Sequence, residues 1–226
     1  PGYMWPAPIL KDMNGDGDLD QLIGSYSGKI KYFENVVTTT MPTMTERTGA
    51  MHPMNLSDVN WANSKPTIKD MDGDGDLDMM VGSNNNNIQY FENTGSITRP
   101  ILTERTGALN PMEGFEYGSG SALCLEDLDG DGDFDIFVAS SLGIKYLENT
   151  GNTTHPTMAN PIYNSNNPMS GIYLQFWNLG YYDSGKFQNF RDPVLSFKDM
   201  DGDGDFDLVV GTPGSYPSGK IHYFEN

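Results

Sequence analysis

Asp70-Met-Asp-Gly-Asp-Gly-Asp-Leu-Asp78 decides the fold, because it occurs four times. The other copies are Asp12-Met-Asn-Gly-Asp-Gly-Asp-Leu-Asp20, Asp127-Leu-Asp-Gly-Asp-Gly-Asp-Phe-Asp135 and Asp199-Met-Asp-Gly-Asp-Gly-Asp-Phe-Asp207. Their starts lie 58, 57 and 72 residues apart, and self-similarity at a near-constant period marks a repeat architecture. A short run at 8–10, 66–68, 123–125 or 194–197 precedes each copy, and an apolar run at 21–24, 79–82, 136–139 or 208–211 follows it. Next comes Ile-Lys-Tyr-Phe-Glu-Asn, or a near copy, at 30–35, 88–93, 144–149 and 221–226. A further segment follows in three repeats: Thr45-Glu-Arg-Thr-Gly-Ala50 recurs at 103–108, and His52-Pro53-Met54 recurs as Asn110-Pro111-Met112 and Asn167-Pro168-Met169.

These segments are strand candidates. In the third, Ile30 and Tyr32 alternate with Lys29 and Lys31, as on a half-buried strand. The second is apolar on both faces, as in a strand buried between layers. A four-stranded antiparallel unit repeated every ~40–60 residues is a propeller blade. The sequence therefore predicts an all-β β-propeller, or a segment of one. Its blade-like four-stranded repeats fall at about 1–54, 55–112, 113–169 and 170–226, the last apparently lacking its outer strand. An open edge of that kind invites pairing, by self-assembly or by a strand from another subunit.

Counted from its first Asp, each nine-residue copy has side-chain oxygens at positions 1, 3, 5 and 9 and Gly at position 6. Ca²⁺ is a hard cation that takes six to eight oxygens, and alternating carboxylates on a tight loop supply them. The expected ligands are Asp12, Asn14, Asp16 and Asp20; Asp70, Asp72, Asp74 and Asp78; Asp127, Asp129, Asp131 and Asp135; and Asp199, Asp201, Asp203 and Asp207. Asp18, Asp76, Asp133 and Asp205, at position 7, are expected to contribute a backbone carbonyl. Four Ca²⁺ sites follow. An EF-hand is excluded, because it needs a bidentate Glu at position 12 and flanking helices, whereas position 12 here is Ile23, Val81, Val138 or Val210.

The acids concentrate in these loops, which hold 19 of the 31; with only 13 Lys and Arg the net charge is −18. That balance argues against a nucleic-acid partner, which needs a basic surface. No stretch approaches the ~20 apolar residues of a membrane span. Cys124 stands alone in an apolar run and reads as a buried, inert thiol.

The pattern Asp-x-Asp/Asn-x-Asp-Gly-x-x-Asp, followed by an apolar strand and then by Gly-x-Ile-x-Tyr-Phe-Glu-Asn-Thr-Gly, resembles the FG-GAP/VCBS repeat family. Its members include integrin α head domains, fungal propeller lectins and many secreted surface proteins. The resemblance implies a propeller in which the Ca²⁺ loop joins the first two strands of each blade.

No nucleophile or acid–base pair emerges from the sequence, so a non-enzymatic protein is expected. His52, His155 and His222 are scattered, and Asn55 and Asn152 head glycosylation sequons. Trp5 and Trp61 precede their loops at similar offsets and read as packing residues. The longer last interval comes from an aromatic-rich insertion at about 170–190, holding Tyr173, Phe176, Trp177, Tyr181, Tyr182, Phe187 and Phe190, a candidate partner surface. Loops of this kind fill at the ~10⁻⁴–10⁻³ M affinities of extracellular modules. The expected role is therefore extracellular and structural or adhesive, in a surface filament or coat. The alternative is a calcium-stabilised lectin whose partner is a glycan.

Overall fold

The computed structural model describes residues 6–37, 41–54, 62–161, 193–204, 206–212 and 220–225, together with the backbone of 182–183 and 186–187. The chain divides into two compact units, Pro1–Gly114 and Phe115–Asn226. Each holds two of the Asp-rich loops.

The first unit contains two antiparallel sheets of four strands, each a simple meander. One is β1 (Ala7–Lys11), β2 (Asp20–Gly24), β3 (Lys31–Asn35) and β4 (Met44–Arg47). The other is β5 (Lys65–Lys69), β6 (Asp78–Gly82), β7 (Gln89–Asn93) and β8 (Leu102–Arg105). Each Asp-rich loop joins the first and second strands of its sheet. The charged residues of the outer strands cross-link them to their neighbours: Arg47 Nε donates to Glu34 at 2.8 Å, Arg105 Nε donates to Glu92 at 2.8 Å, and Lys31 pairs with Glu46.

The second unit holds β9 (Ala122–Glu126), β10 (Asp135–Ser140) and β11 (Gly143–Leu147) in one three-stranded sheet. Another contains β14 (Val194–Lys198), β15 (Asp207–Thr212) and β16 (Lys220–Phe224). Between them in sequence, β12 (Tyr182–Asp183) and β13 (Lys186–Phe187) pair as a short hairpin. The rest of the aromatic insertion, with Tyr173, Phe176, Trp177, Tyr181 and Phe190, lies outside the described residues, as do Trp5, Asn55 and Trp61.

The third repeat departs from the four-strand expectation. Its outer segment is reduced to a single bridge, Asn149 to Met158, flanked by backbone bonds from Thr150 N to Thr157 O and from Ala159 N to Glu148 O. The first two repeats continue into Thr-Glu-Arg, whose Arg holds the Glu of the preceding strand. Here the chain runs Ala159-Asn160-Pro161, which offers no cation to Glu148 and ends in a residue without an N–H to donate.

Sheets pack side by side within each unit. In the first, Leu22, Ile30 and Tyr32 of one sheet's strands meet Ile68, Met79, Val81 and Phe91 of the other's in one buried cluster. In the second, the Phe137 and Phe197 rings lie 4.8 Å apart at the heart of an equivalent cluster. Cys124 is half-buried against that core, less enclosed than its apolar run suggests. The central strands β6 and β10 are buried along their whole length.

The first unit's sheets touch closely at Gly24. A Cβ there would sit 2.1 Å from Ser64 O and 2.8 Å from Pro66 Cδ, and the backbone continues the junction with Ser25 N donating to Ser64 Oγ at 2.9 Å. Gly24→Ala should therefore force the sheets apart and cost about 1–3 kcal/mol, the usual range for overpacking, measured as a lowered midpoint in urea unfolding.

Candidate metal centres

Each loop is wound on its own carboxylates. The position-1 Asp accepts from the N–H groups of both loop glycines: Asp12 from Gly15 at 2.7 Å and Gly17 at 2.9 Å, Asp70 from Gly73 and Gly75 at 2.8 and 3.1 Å. Asp127 and Asp199 repeat the pattern with Gly130 and Gly132 and with Gly202 and Gly204. Gly73 and Gly75 have φ of 68° and 96°, in the left-handed region that only glycine enters freely. The next two side chains act two residues ahead: Asn14, Asp72, Asp129 and Asp201 accept from the N–H of position 5, and Asp16, Asp74 and Asp131 from that of position 7. Asp205 lies outside the described residues.

The winding turns carboxylates toward one another. Oxygens of Asp70, Asp72 and Asp78 lie within 4.8 Å of each other, as do those of Asp127, Asp129 and Asp131, and of Asp199, Asp201 and Asp203. Such a group can hold a metal ion. In the first loop Asn14 replaces one carboxylate and leaves an oxygen ligand without charge.

Position 9 does more than the sequence suggests. Asp20 and Asp78 are 0% and 1% exposed. Asp78 accepts from Met71 N across its loop at 3.0 Å, from Tyr90 Oη at 3.1 Å and from Asn93 N at 2.8 Å. Asp20 makes the same three bonds to Met13, Tyr32 and Asn35, and Asp135 makes them to Leu128, Tyr146 and Asn149. Asp207 accepts from Met200 N and from the Tyr223 hydroxyl. The sequence pattern placed the Tyr of the third strand on one face with Ile30 and gave it no role at the loop. The missed signal was its constant spacing from position 9: twelve residues in the first two repeats, eleven in the third.

Position 7 was also underestimated. The side chains of Asp76 and Asp133 are buried, and the Oδ1 atom of each has no hydrogen-bond partner. Asp76 also shares a side-chain hydrogen bond with Asp74, and Asp133 with Asp131, so each is pressed against a neighbouring carboxylate whose repulsion a proton or a cation relieves.

Electrostatics points the same way. Burial, outweighing its hydrogen bonds, pushes Asp78 up to about 7 and Asp135 up to about 6, and raises Asp20. Burial and then the charges of Asp74 and Asp72 push Asp76 up to about 6. Asp72 and Asp133 rise for the same reasons, burial first and neighbouring aspartates next. Burial also raises the Tyr32, Tyr90 and Tyr146 hydroxyls, which stay protonated donors.

Residues 195–224 match the family model for the FG-GAP repeat. That match spans β14, the fourth loop, β15 and β16, whose counterparts recur in the other three sheets. FG-GAP repeats generally bind calcium. A solved structure describing specific recognition of non-reducing terminal N-acetylglucosamine by an Agrocybe aegerita lectin is similar over 96% of this chain and 50% of its own, at 14% identity and a TM-score of 0.48. The chain thus spans half the length of that lectin. No curated protein matches.

The raised carboxylates set a pH dependence for the cation-free protein. The folded state keeps protons that the unfolded chain, with Asp near 3.9, has released. Stability must then fall as pH rises from about 4 to about 7, through the shifted values. In chelator the melting temperature should be higher at about pH 5 than at about pH 7.5, and added calcium should remove or reverse the trend. Differential scanning fluorimetry across pH, with and without calcium, checks both signs.

Proposed function

We propose that this protein is a non-enzymatic, calcium-stabilised β-propeller, or propeller segment, that works outside the cell as a structural or adhesive module. One observation carries the reading: each loop is wound on its own position-1 carboxylate, and in three of the four the acids bring their oxygens within 4.8 Å of one another. Calcium held there by positions 1, 3, 5, 7 and 9 would neutralise the repulsion and tie the first strand to the second. The extracellular placement rests on affinity, because loops of this class suit millimolar calcium.

The reading extends to a surface filament or coat, in which the sheets of these repeats would meet a second copy or another protein. No helix among the described residues is long and apolar enough to cross a membrane.

A second reading, glycan binding, is favoured by a cleft of about 400 Å³ in the first unit. Asn14, Tyr32, Glu34, His52 and Arg99 line it together with Pro and Met surfaces. A glycan array with wild type and Arg99→Ala tests it: specific binding lost in the variant favours the lectin, and a blank array leaves the structural role.

Chelation is the direct test of the main reading. At a hundredfold excess of calcium over Kd, each site contributes about 2.7 kcal/mol, or about 5–10 °C in melting temperature for a domain of this size. Excess EGTA should remove that stabilisation and Mg²⁺ should not replace it. An unchanged melting temperature would sink the reading.

A further inference from the structure

The Asn-Thr-Thr sequence at 152–154 is folded into a turn of its own. Asn152 and His155 bridge its ends, with His155 N donating to Asn152 O at 3.2 Å and Asn152 N to His155 O at 3.4 Å. The Asn152 carboxamide closes the turn from one side. Its Oδ1 accepts from Thr154 Oγ1 at 2.8 Å, from Thr154 N at 3.0 Å and from His155 N at 3.0 Å. His155 Nδ1 lies 2.9 Å from the Thr154 hydroxyl, which can accept from it while giving its own proton to Asn152. None of these bonds uses the Asn152 amide nitrogen. Residues 151–155 are all exposed. A turn closed by its own Asn and Thr side chains draws on local chemistry and needs no distant partner.

The second repeat shows what sets this turn apart. There the same turn is Ser96-Ile97-Thr98-Arg99, bridged from Ser96 to Arg99. Ile97 packs on the first Asp-rich loop, where a Cβ added at Gly15 would sit 3.0 Å from its Cγ1. In the third repeat Asn stands for Ser96 and Thr for Ile97, while the Thr two residues after the first position is kept. The exchange gives up an aliphatic side chain and puts a carboxamide at the head of the turn, at the spacing from a hydroxyl that an acceptor sequon requires.

We infer that Asn152 is an N-glycosylation site, its ligand an oligosaccharide delivered from a polyprenyl-pyrophosphate carrier. The inference rests on the extracellular reading above, because sequons of this kind are modified on exported chains. The reaction is a substitution at the anomeric carbon of the sugar. A bond forms from Asn152 Nδ2 to that carbon, and the bond from the carbon to the pyrophosphate oxygen breaks. The pyrophosphate leaves with the electron pair, and one amide proton passes to a base on the transferase. The product keeps the carboxamide oxygen, so all three bonds that hold the turn survive. The folded turn can therefore carry a bulky glycan without being rebuilt.

Peptide mapping by mass spectrometry, on protein isolated from the cells that make it, tests this after fractionation into intracellular and extracellular pools. The peptide holding Asn152 should carry a glycan. A peptide-N-glycosidase in heavy-oxygen water should release it and leave a labelled aspartate at that position. Chains secreted from a eukaryotic host supply the variants. Thr154→Ala should lose the modification at this peptide and Thr154→Ser should keep it. Asn152→Gln should lose it as well, and Thr154→Ala carries the test if that variant fails to fold, because it keeps the two backbone bonds to Asn152. Circular dichroism shows which variants are folded. An extracellular chain with a bare Asn152 overturns this site and leaves the extracellular reading standing. A glycan that persists on the Thr154→Ala peptide overturns the sequon-directed attachment. A chain confined to the cytosol overturns the extracellular reading and this inference with it.

Discussion

The position-9 aspartate is the constraint on which the rest of the structure depends. It is the first residue of the second strand, it is buried in every repeat, and in the first three it accepts hydrogen bonds from three places at once. One donor lies in its own loop and two on the third strand. A single carboxylate therefore fixes where the loop closes and which register the third strand takes against the second. Removing any one donor would leave a buried charge short of a partner, which costs more than the bond itself. The arrangement tolerates changes in length. The third repeat has a tight turn from Ser140 to Gly143, one residue shorter than its counterparts, yet Tyr146 and Asn149 still reach Asp135.

The asparagine that ends the third-strand motif extends the network outward. Its N–H goes to the aspartate, and its side-chain carbonyl holds the following turn. Asn93 Oδ1 accepts from Gly95 N and Ile101 N at 3.0 and 2.9 Å, and Asn149 Oδ1 from Gly151 N and Thr157 N at 3.0 and 2.8 Å. The exposed sequon residue Asn152 sits in that last turn, its side chain already accepting from Thr154 and His155. The Tyr, Glu and Asn of one short motif thus have separate tasks. Tyr and Asn close on the buried acid, while Glu pairs outward with Arg on the fourth strand where that strand exists.

Much of this was legible in the sequence because repetition multiplies weak signals. One Asp-Gly-rich loop is compatible with a plain turn, whereas four with the same spacing are not. The strand positions followed from period-two alternation in Ile30 to Tyr32 and from the two-faced apolar runs before Gly24 and Gly82. Burial inside the loop was not legible. Asp18, Asp76 and Asp133 are the same residue at the same position, and only the packing around each loop separates the half-buried one from the buried two. The shortened outer segment of the third repeat was harder still. Its Asn-Pro-Met triplet copies the second repeat, and the loss shows only in the missing Thr-Glu-Arg.

That outer segment also decides which residues count as core. Ile30 and Tyr32 are buried because the chain after β4 folds back over them: His52 Nε2 sits 3.1 Å from Ile30 O, Met54 N donates to His52 Nδ1, and Met54 is itself buried. In the second repeat Asn110 makes the same two bonds, to Ile88 O and from Met112 N. Histidine and asparagine are interchangeable here because each offers a donor and an acceptor at the spacing required. This fixes the proton of His52 on Nε2, and burial lowers its pKa. On β16 the same strand sequence, Ile-His-Tyr-Phe, leaves Ile221 and Tyr223 80% and 47% exposed. Tyr223 still reaches its aspartate, so the inner network does not need the cover. The two layers of each repeat are therefore separable: the acid-centred network builds the sheet, and the x-Pro-Met segment makes its outer apolar residues into core.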